Sequence, residues 1–455
     1  MRLQAIFESL RDGPAANLHL GAGATFTLVV RGSTYVMVAI TGIVVARALG
    51  AHDRGLYSLV TTIAIMFAAL SELGISRAGI YLVGRKRCSL QELIANDAAW
   101  ILPIGTAWVA ICLTLGLLRP AIFPADVTFI HFVVFALGGV FLLVIAFAED
   151  VLLAGGSVLS YNAIEFAEPF VRVALILGGV ILLGIGMTGV LLGWLAAIIL
   201  AGLLALYFVA QRGALKPFLR PRLLLSQLSF GLRGYLGYVL QEANHRLDVF
   251  LVVAFVGSTA LGHYAVAFGM AELLWQIPFA LGVVLFPKAS ALSDDESAQT
   301  AATTCRRALF VTLMGTLFVL ATGRFLVTFL YGKEFEDGVT ALYILAPSAM
   351  LYTVHKVLGS ALAGRGMPEV GLYSGLASLP VTVGMSLLLI PRMGIEGAAL
   401  SSICAYAVNA AVVLVLFLRV THQSLGDILL INRGDIEASW QTARGLLARR
   451  EAQEA

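Results

Sequence analysis

Residues 24–48, ATFTLVVRGSTYVMVAITGIVVARA, carry only two charged side chains, Arg31 and Arg47. About 20 mostly apolar residues in a helix cross the roughly 30 Å hydrocarbon layer of a bilayer, so this run reads as a spanning helix. It ends in LGAHDRGLYSLV (49–60), where glycines and charges break the run before a second apolar stretch begins. The same alternation repeats to residue 418. Spans are expected at 24–48, 56–83, 93–118, 127–153, 157–183, 187–210, 227–256, 260–287, 308–331, 339–363, 370–390 and 395–418. The longest connections are 211–226 and 288–307.

Composition agrees. Of 455 residues, 59% are hydrophobic and 13% charged, about half the charged share of a soluble domain. Such a chain cannot cover its surface with polar groups, and lipid is the solvent it needs. The net charge of +3 gives no reason to expect nucleic acid. Cys88, Cys112, Cys305 and Cys404 are far apart and read as small apolar fillers. There is no GxxxxGK[ST], HExxH or DxDxDG motif, so neither nucleotide hydrolysis nor a cofactor or metal is expected. Residues 1–22 lack the long apolar core of a cleavable signal peptide.

Positive residues favour the cytoplasmic side of a membrane. With the N-terminus inside, the inner segments hold Arg2, Arg11, Arg85, Lys86, Arg87, Arg212, Lys216, Arg220, Arg222, Lys288, Arg306, Arg307, Arg365, Arg433, Arg444, Arg449 and Arg450. The outer loops hold only Arg54, Arg119, Lys333 and Arg392. Both termini are therefore expected in the cytoplasm, with the number of spans even. Residues 425–450 read either as an amphipathic helix on the membrane surface or as a solvated tail.

The chain also repeats itself. Gly50, Gly55 and Tyr57 form G-x4-G-x-Y, and Gly257, Gly262 and Tyr264 restate it 207 positions later. Leu153-Ala154-Gly155 is echoed by Leu362-Ala363-Gly364, and Gly186-Met187-Thr188-Gly189 by Gly394-Ile395-Glu396-Gly397. Arg31-Gly32 and Arg233-Gly234 each fall in the first span of a half. The expected organisation is all-α: a cytoplasmic segment 1–22, a six-helix lobe 23–210, a basic linker 211–226, a second six-helix lobe 227–418 and a cytoplasmic tail 419–455. Two lobes related by a parallel pseudo-two-fold repeat are a transporter design, with the substrate site between the halves.

Charges inside spans are expensive and persist where they face a cavity or a partner. Candidates are Arg31, Glu72, Arg77, Asp97, Glu149, Asp150, Glu165, Glu168, Arg172, Arg233, Glu242, His245, Arg246, Asp248, Glu272, His355 and Lys356. Glu168–Arg172 and Glu242–Arg246 have the i,i+4 spacing of neutralised pairs. Arg31 and Arg233 have no opposite charge within four positions on their own helices. They either face a shared cavity as cations, which selects an anionic substrate, or extend to the headgroups. Glu165 and Glu168 offer groups for coupling to protons. Pro103, Pro169, Pro278, Pro347 and Pro380 interrupt spans. Pro169 next to Glu168 makes the fifth span a candidate mobile element.

Several junctions resemble one family. Ala46-Arg47-Ala48-Leu49-Gly50 with Gly55-Leu56-Tyr57-Ser58-Leu59 is similar to the first helical junction of bacterial polysaccharide exporters of the O-antigen flippase type. Leu330-Tyr331-Gly332-Lys333-Glu334-Phe335 resembles that family's ninth-to-tenth junction, and Ile390-Pro391 with Gly394-Ile395 and Gly397-Ala398-Ala399 its eleventh-to-twelfth. The resemblance covers most of residues 20–420. It implies two lobes in a V around a central cavity, in the superfamily that also holds multidrug extruders and the lipid II flippase. It further implies a monomer in the bacterial inner membrane that moves undecaprenyl-pyrophosphate-linked oligosaccharide outward for O-antigen, capsule or exopolysaccharide. A polysaccharide polymerase and chain-length proteins would be its partners. Arg31 and Arg233 would suit the pyrophosphate, since guanidinium pairs with phosphate in a bidentate way. Two alternatives stand beside this reading: a drug/cation antiporter of the same superfamily, and a membrane glycan polymerase or ligase.

Overall fold

The structure is a computed structural model and describes residues 20–118, 123–184 and 186–429. The side chains of 20–26, 28, 181–183 and 233–234 lie outside that description. The helices are α1 (Leu20–Glu72), α2 (Ile75–Gly84), α3 (Leu90–Leu118), α4 (Phe129–Ala154), α5 (Val158–Leu183), α6 (Met187–Ala210), α7 (Pro221–Phe255) and α8 (Ser258–Ala291). They continue with α9 (Asp294–Leu330), a 3₁₀ turn (Lys333–Gly338), α10 (Val339–Leu345), α11 (Ser348–Gly364), α12 (Val370–Thr421) and α13 (Leu425–Leu429).

Two of these helices are too long to be single spans. α1 has 53 residues and α12 has 52, about 80 Å each if straight. Each breaks at a glycine with positive φ: Gly50 (φ 76°) and Gly394 (φ 60°). Glycine enters that region without steric cost. Past the second break the chain doubles back. A Cβ at Gly397 would lie 2.6 Å from the carbonyl carbon of Leu389, eight residues away and about 12 Å distant in a straight helix. The two glycines fall where the sequence places the first-to-second and eleventh-to-twelfth junctions. The tenth span is bent by 48° between residues 333–345 and 348–364, around Pro347.

By length and composition, seven helices among the described residues can cross a membrane, or eight if the bent pair is one span. The long helices outside that set are α5 and α7, which include the side chains 181–183 and 233–234 that lie outside the description. The protein is a multi-pass all-α membrane protein.

Two helix starts differ from expectation. The segment 288–307 was expected as a connection, yet α9 begins at Asp294. Glu296 supports this start: its carboxylate accepts from the Ser293 backbone N–H (3.2 Å) and from the Ser293 hydroxyl (2.7 Å), the glutamate's half of the S-x-x-E signature. Ala298, Ala301, Ala302 and Cys305 bury one face of the extension. Alanine has low hydropathy, so a window average does not register that face. α7 likewise starts six residues early, with Pro221 at the first turn, where its missing N–H costs nothing.

The chain groups into two compact units. One comprises residues up to 266 with 324–338 and 386–398; the other comprises 267–323, 339–385 and residues from 399 onward. The first has a core of Leu93 and Ile94 on α3, Leu143, Phe147 and Val151 on α4, Ile164 on α5 and Val209 on α6. The second packs Ala289, Ala301, Cys305, Val357, Ala361, Val413 and Phe417 together. Of residues 425–450, expected as an amphipathic helix or a solvated tail, 425–429 form α13, capped by Ser424 and Asp427. Hydrogen bonds from Ser424 hold the Asp427 carboxyl below its ordinary range. The remainder lies outside the described residues.

Candidate functional site

The first unit gathers ionisable side chains from five helices: α1, α2, α4, α5 and α7. Arg31 on α1 donates to the Tyr161 hydroxyl on α5 (3.0 Å), and that hydroxyl donates to Glu165 (3.0 Å). The Arg31 Nε lies 3.5 Å from the other Glu165 oxygen. Arg31 is therefore not an unpaired cation. Its partner lies on a helix 134 positions on, and an own-helix search cannot find it. Glu149 on α4 sits within electrostatic reach of Glu165, Asp150, Arg31 and Arg77.

Beside this group, Arg77 on α2 pairs with Glu72 at the end of α1 (3.5 Å) and stacks over Tyr238 of α7, 4.8 Å from the ring centre. Glu72 is nearly inaccessible (6%) and lies within electrostatic reach of Asp150. Four acids (Glu72, Glu149, Asp150, Glu165) thus face two arginines (Arg31, Arg77). The cluster is rich in acids. The unpaired-cation picture counted Arg31 without the α4 acids.

The i,i+4 pairs form as their spacing predicts: Glu168–Arg172 at 3.4 Å and Glu242–Arg246 at 2.9 Å. His245 sits near Glu242. Arg172 also lies within electrostatic reach of Tyr57, and Asp248 accepts from Tyr264 and from the Val249 N–H. The repeated tyrosines of the two G-x4-G-x-Y motifs are both buried against charged groups of a neighbouring helix. Lys356, in the second unit, lies over the ring of Phe279. α7 carries Arg233 outside the described side chains.

The repeated glycines have a shared purpose. A Cβ at Gly55 would overlap the Ser258 carbonyl, 2.8 Å from its carbon; a Cβ at Gly262 would overlap the Ala51 carbonyl, 2.7 Å from its carbon. Ala51 and Ser258 are themselves 207 positions apart. So Gly55 meets Ser258 as Gly262 meets Ala51, the reciprocal contact a two-fold axis produces. Gly50 and Gly257, the first glycines of the motifs, both have positive φ.

Arg47 and Glu334 clamp this crossing. Arg47 donates to the carbonyls of Leu330 (2.7 Å) and Phe329 at the end of α9, where cations suit the helix dipole. Glu334 accepts from the Ala51 N–H (2.8 Å) at the start of the second arm of α1, where an anion is favoured. Asp126 accepts from Ser258 (2.8 Å) and pairs with His52 (3.2 Å). Arg47, Gly55 and Gly262 thus lie at close contacts between backbone segments.

At the end of the unit that carries Arg85–Arg87 a buried polar knot joins α3 to α7. Gln227 donates to Asp97 (2.7 Å) and to the Ile75 carbonyl (3.1 Å). Asn96 donates to Gln227 (2.6 Å) and accepts from the Arg220 N–H (2.8 Å). Asn96 and Gln227 are uncharged, and a search for intramembrane charges passes over them.

Comparison with known proteins fits this geometry. The profile of the family described as polysaccharide biosynthesis protein matches residues 20–293. An uncharacterized membrane protein of Methanocaldococcus jannaschii is 25% identical over 193 residues, covering 41% of this chain and 38% of that protein. A protein of Haloferax volcanii named "probable low-salt glycan biosynthesis flippase" is 22% identical over 167 residues, covering 36% of this chain and 35% of that one. The chain thus spans well under half the length of these curated relatives. Among solved structures, the lipid II flippase MurJ in an inward closed conformation superposes with a TM-score of 0.70 at 14% identity, covering 87% of this chain and 90% of that one. An inward-facing multidrug transporter of the MATE family superposes at 0.64 with 16% identity, covering 88% and 98%. Both share the fold.

Proposed function

Because the chain belongs to the polysaccharide biosynthesis protein family, we propose that it is a flippase, moving undecaprenyl-pyrophosphate-linked oligosaccharide from the cytoplasmic to the outer leaflet by alternating access. The observation that carries this reading is the reciprocal contact of Gly55 with Ser258 and Gly262 with Ala51. An internal repeat whose equivalent residues make reciprocal contacts is the design of alternating-access transporters, which expose a site first to one side and then to the other. The charged cluster on α1, α4 and α5 supplies what a hydrophilic cargo needs and lipid does not.

In this reading Arg31 and Arg233 are the pyrophosphate-binding cations. Arg31 exchanges its carboxylate partner Glu165 for a phosphate oxygen, and the freed acids Glu165 and Glu149 take up a proton or cation. Glu168, Arg172, Glu242, His245, Arg246, Asp248 and Lys356 are the remaining candidate cavity or coupling groups. The lobes are 23–210 and 227–418, with both termini in the cytoplasm of a bacterial cell and a polymerase receiving the product. The acid excess gives a second reading its footing: a drug/cation antiporter, the fold being shared with a multidrug transporter of the MATE family.

The test is reconstitution. Vesicles with the purified chain should expose a fluorescent lipid-linked oligosaccharide to the opposite leaflet faster than empty vesicles do, and Arg31→Gln should slow this without loss of protein. Equal rates with and without the chain would overturn the flippase reading. Export of a lipophilic cation instead would favour the antiporter.

A further inference from the structure

A cavity of about 880 Å³ opens at the arginine-rich end of the first unit, away from the charged cluster. Its polar wall carries Arg87, Arg220 and Arg222; its apolar wall carries Tyr81, Phe218 and Phe230. Tyr81 and Phe230 stack at 4.4 Å, and Arg87 lies over the Tyr81 ring. Arg220 is paired with Glu92. No ion pair involves Arg87 or Arg222 among the described residues, and both are exposed. The first turn of α7, from Pro221, forms one side of the cavity, so its free N–H groups add to the positive field.

We propose that this cavity holds the phosphodiester headgroup of an anionic phospholipid from the adjacent leaflet. Two observations select a lipid over a soluble anion. Phe218, Leu225 and Phe230 are exposed to 64%, 66% and 47% beside the arginines, a combination suited to the boundary between acyl chains and headgroups. The volume also exceeds that of a lone phosphate and suits a headgroup with its glycerol. The acyl chains would run along Leu225 and Phe230. The bound headgroup bridges the end of α2 to the start of α7, the two elements that also meet through Gln227 and the Ile75 carbonyl.

The test is binding to the purified full-length chain in neutral detergent, using phosphatidylglycerol with a fluorescent acyl chain. Saturable binding is expected, weakened about 5-fold by Arg87→Gln or Arg222→Gln and about 25-fold by both. Lys86→Gln, a neighbouring cation outside the cavity, should leave it unchanged, with unaltered size-exclusion profiles confirming that each variant folds. The proposal fails if phosphatidylcholine competes as well as phosphatidylglycerol, or if the double variant binds normally. It also fails if Lys86→Gln weakens binding as much, since that is diffuse surface charge. Displacement by inorganic phosphate alone at equal concentration would show a soluble-anion site instead. Preferential displacement by polyprenyl pyrophosphate would make it a substrate-loading site and overturn the phospholipid assignment. None of these outcomes depends on transport.

Discussion

Replacing Gly55 by alanine places a Cβ 2.8 Å from the Ser258 carbonyl carbon, with the carbonyl oxygen closer still. Ordinary contact begins at 3.4 Å, so the carbon alone requires the strands of backbone to part by 0.6 Å (3.4 less 2.8), and the oxygen requires more. The obstacle is main chain and cannot rotate away. Overpacking of this kind costs about 1–3 kcal/mol. Gly262→Ala makes the equivalent collision with Ala51 and should cost the same. The two costs should not add. Once the first side chain has parted the crossing, the second enters a gap already open, and its own cost should fall to about 1 kcal/mol or less, a coupling of the size seen between residues in contact. Equilibrium unfolding in mixed micelles of rising sodium dodecyl sulfate, for wild type, both single variants and the double variant, measures this. Gly42→Ala is the control. Nothing lies within 4 Å of its Cβ, and alanine there should be neutral or stabilising by up to about 1 kcal/mol. Additivity within about 0.5 kcal/mol, or single variants no less stable than Gly42→Ala, would refute the claim that the repeat meets across a two-fold axis.

Two further outcomes follow from the clamps around the crossing and the knot. Arg47→Ala should destabilise by about 1–2 kcal/mol through loss of the carbonyl and dipole contacts at the end of α9, with Arg47→Lys recovering part; the same unfolding assay checks it. Gln227→Leu should cost about 1–3 kcal/mol for each polar group it strands at Asn96 and Asp97, and hydrogen exchange of α3 amides near residue 96 should rise; unchanged exchange would show that the knot is not what ties α3 to α7.

The spans were legible because each is a local property, a run of apolar residues between glycines or charges. Gly50 and Gly394 were legible as junctions for the same reason. The repeat was legible as spacing, 207 positions between Gly55 and Gly262, but its meaning was not. Nothing in the string says that these two glycines touch each other's neighbouring backbone. The start of α9 was not legible from hydropathy although Ser293 and Glu296 spell the S-x-x-E signature, because a window gives alanines at 298, 301 and 302 little weight against the aspartates and arginines that flank them. The site was legible as a set of charged positions and illegible as a set of partners. Glu168–Arg172 could be paired from its spacing on one helix. Arg31–Glu165 could not, since helix packing alone brings α1 against α5.

That difference changes the chemistry expected of Arg31. A lone guanidinium in the membrane would bind a phosphate outright. One already held by Tyr161 and Glu165 binds only by exchange, and the carboxylate it releases is left in a setting where charge is expensive. Glu149, Asp150 and Glu72 stand close by, so the released charge cannot be passed to an unopposed cation; it must be met by a proton or a metal cation. On the proposed function, anion capture and cation uptake are then one event. Under the proposed function, a cluster richer in acid than in base is what an anion carrier needs if loading its cargo is to depend on a proton or cation drawn from the membrane gradient.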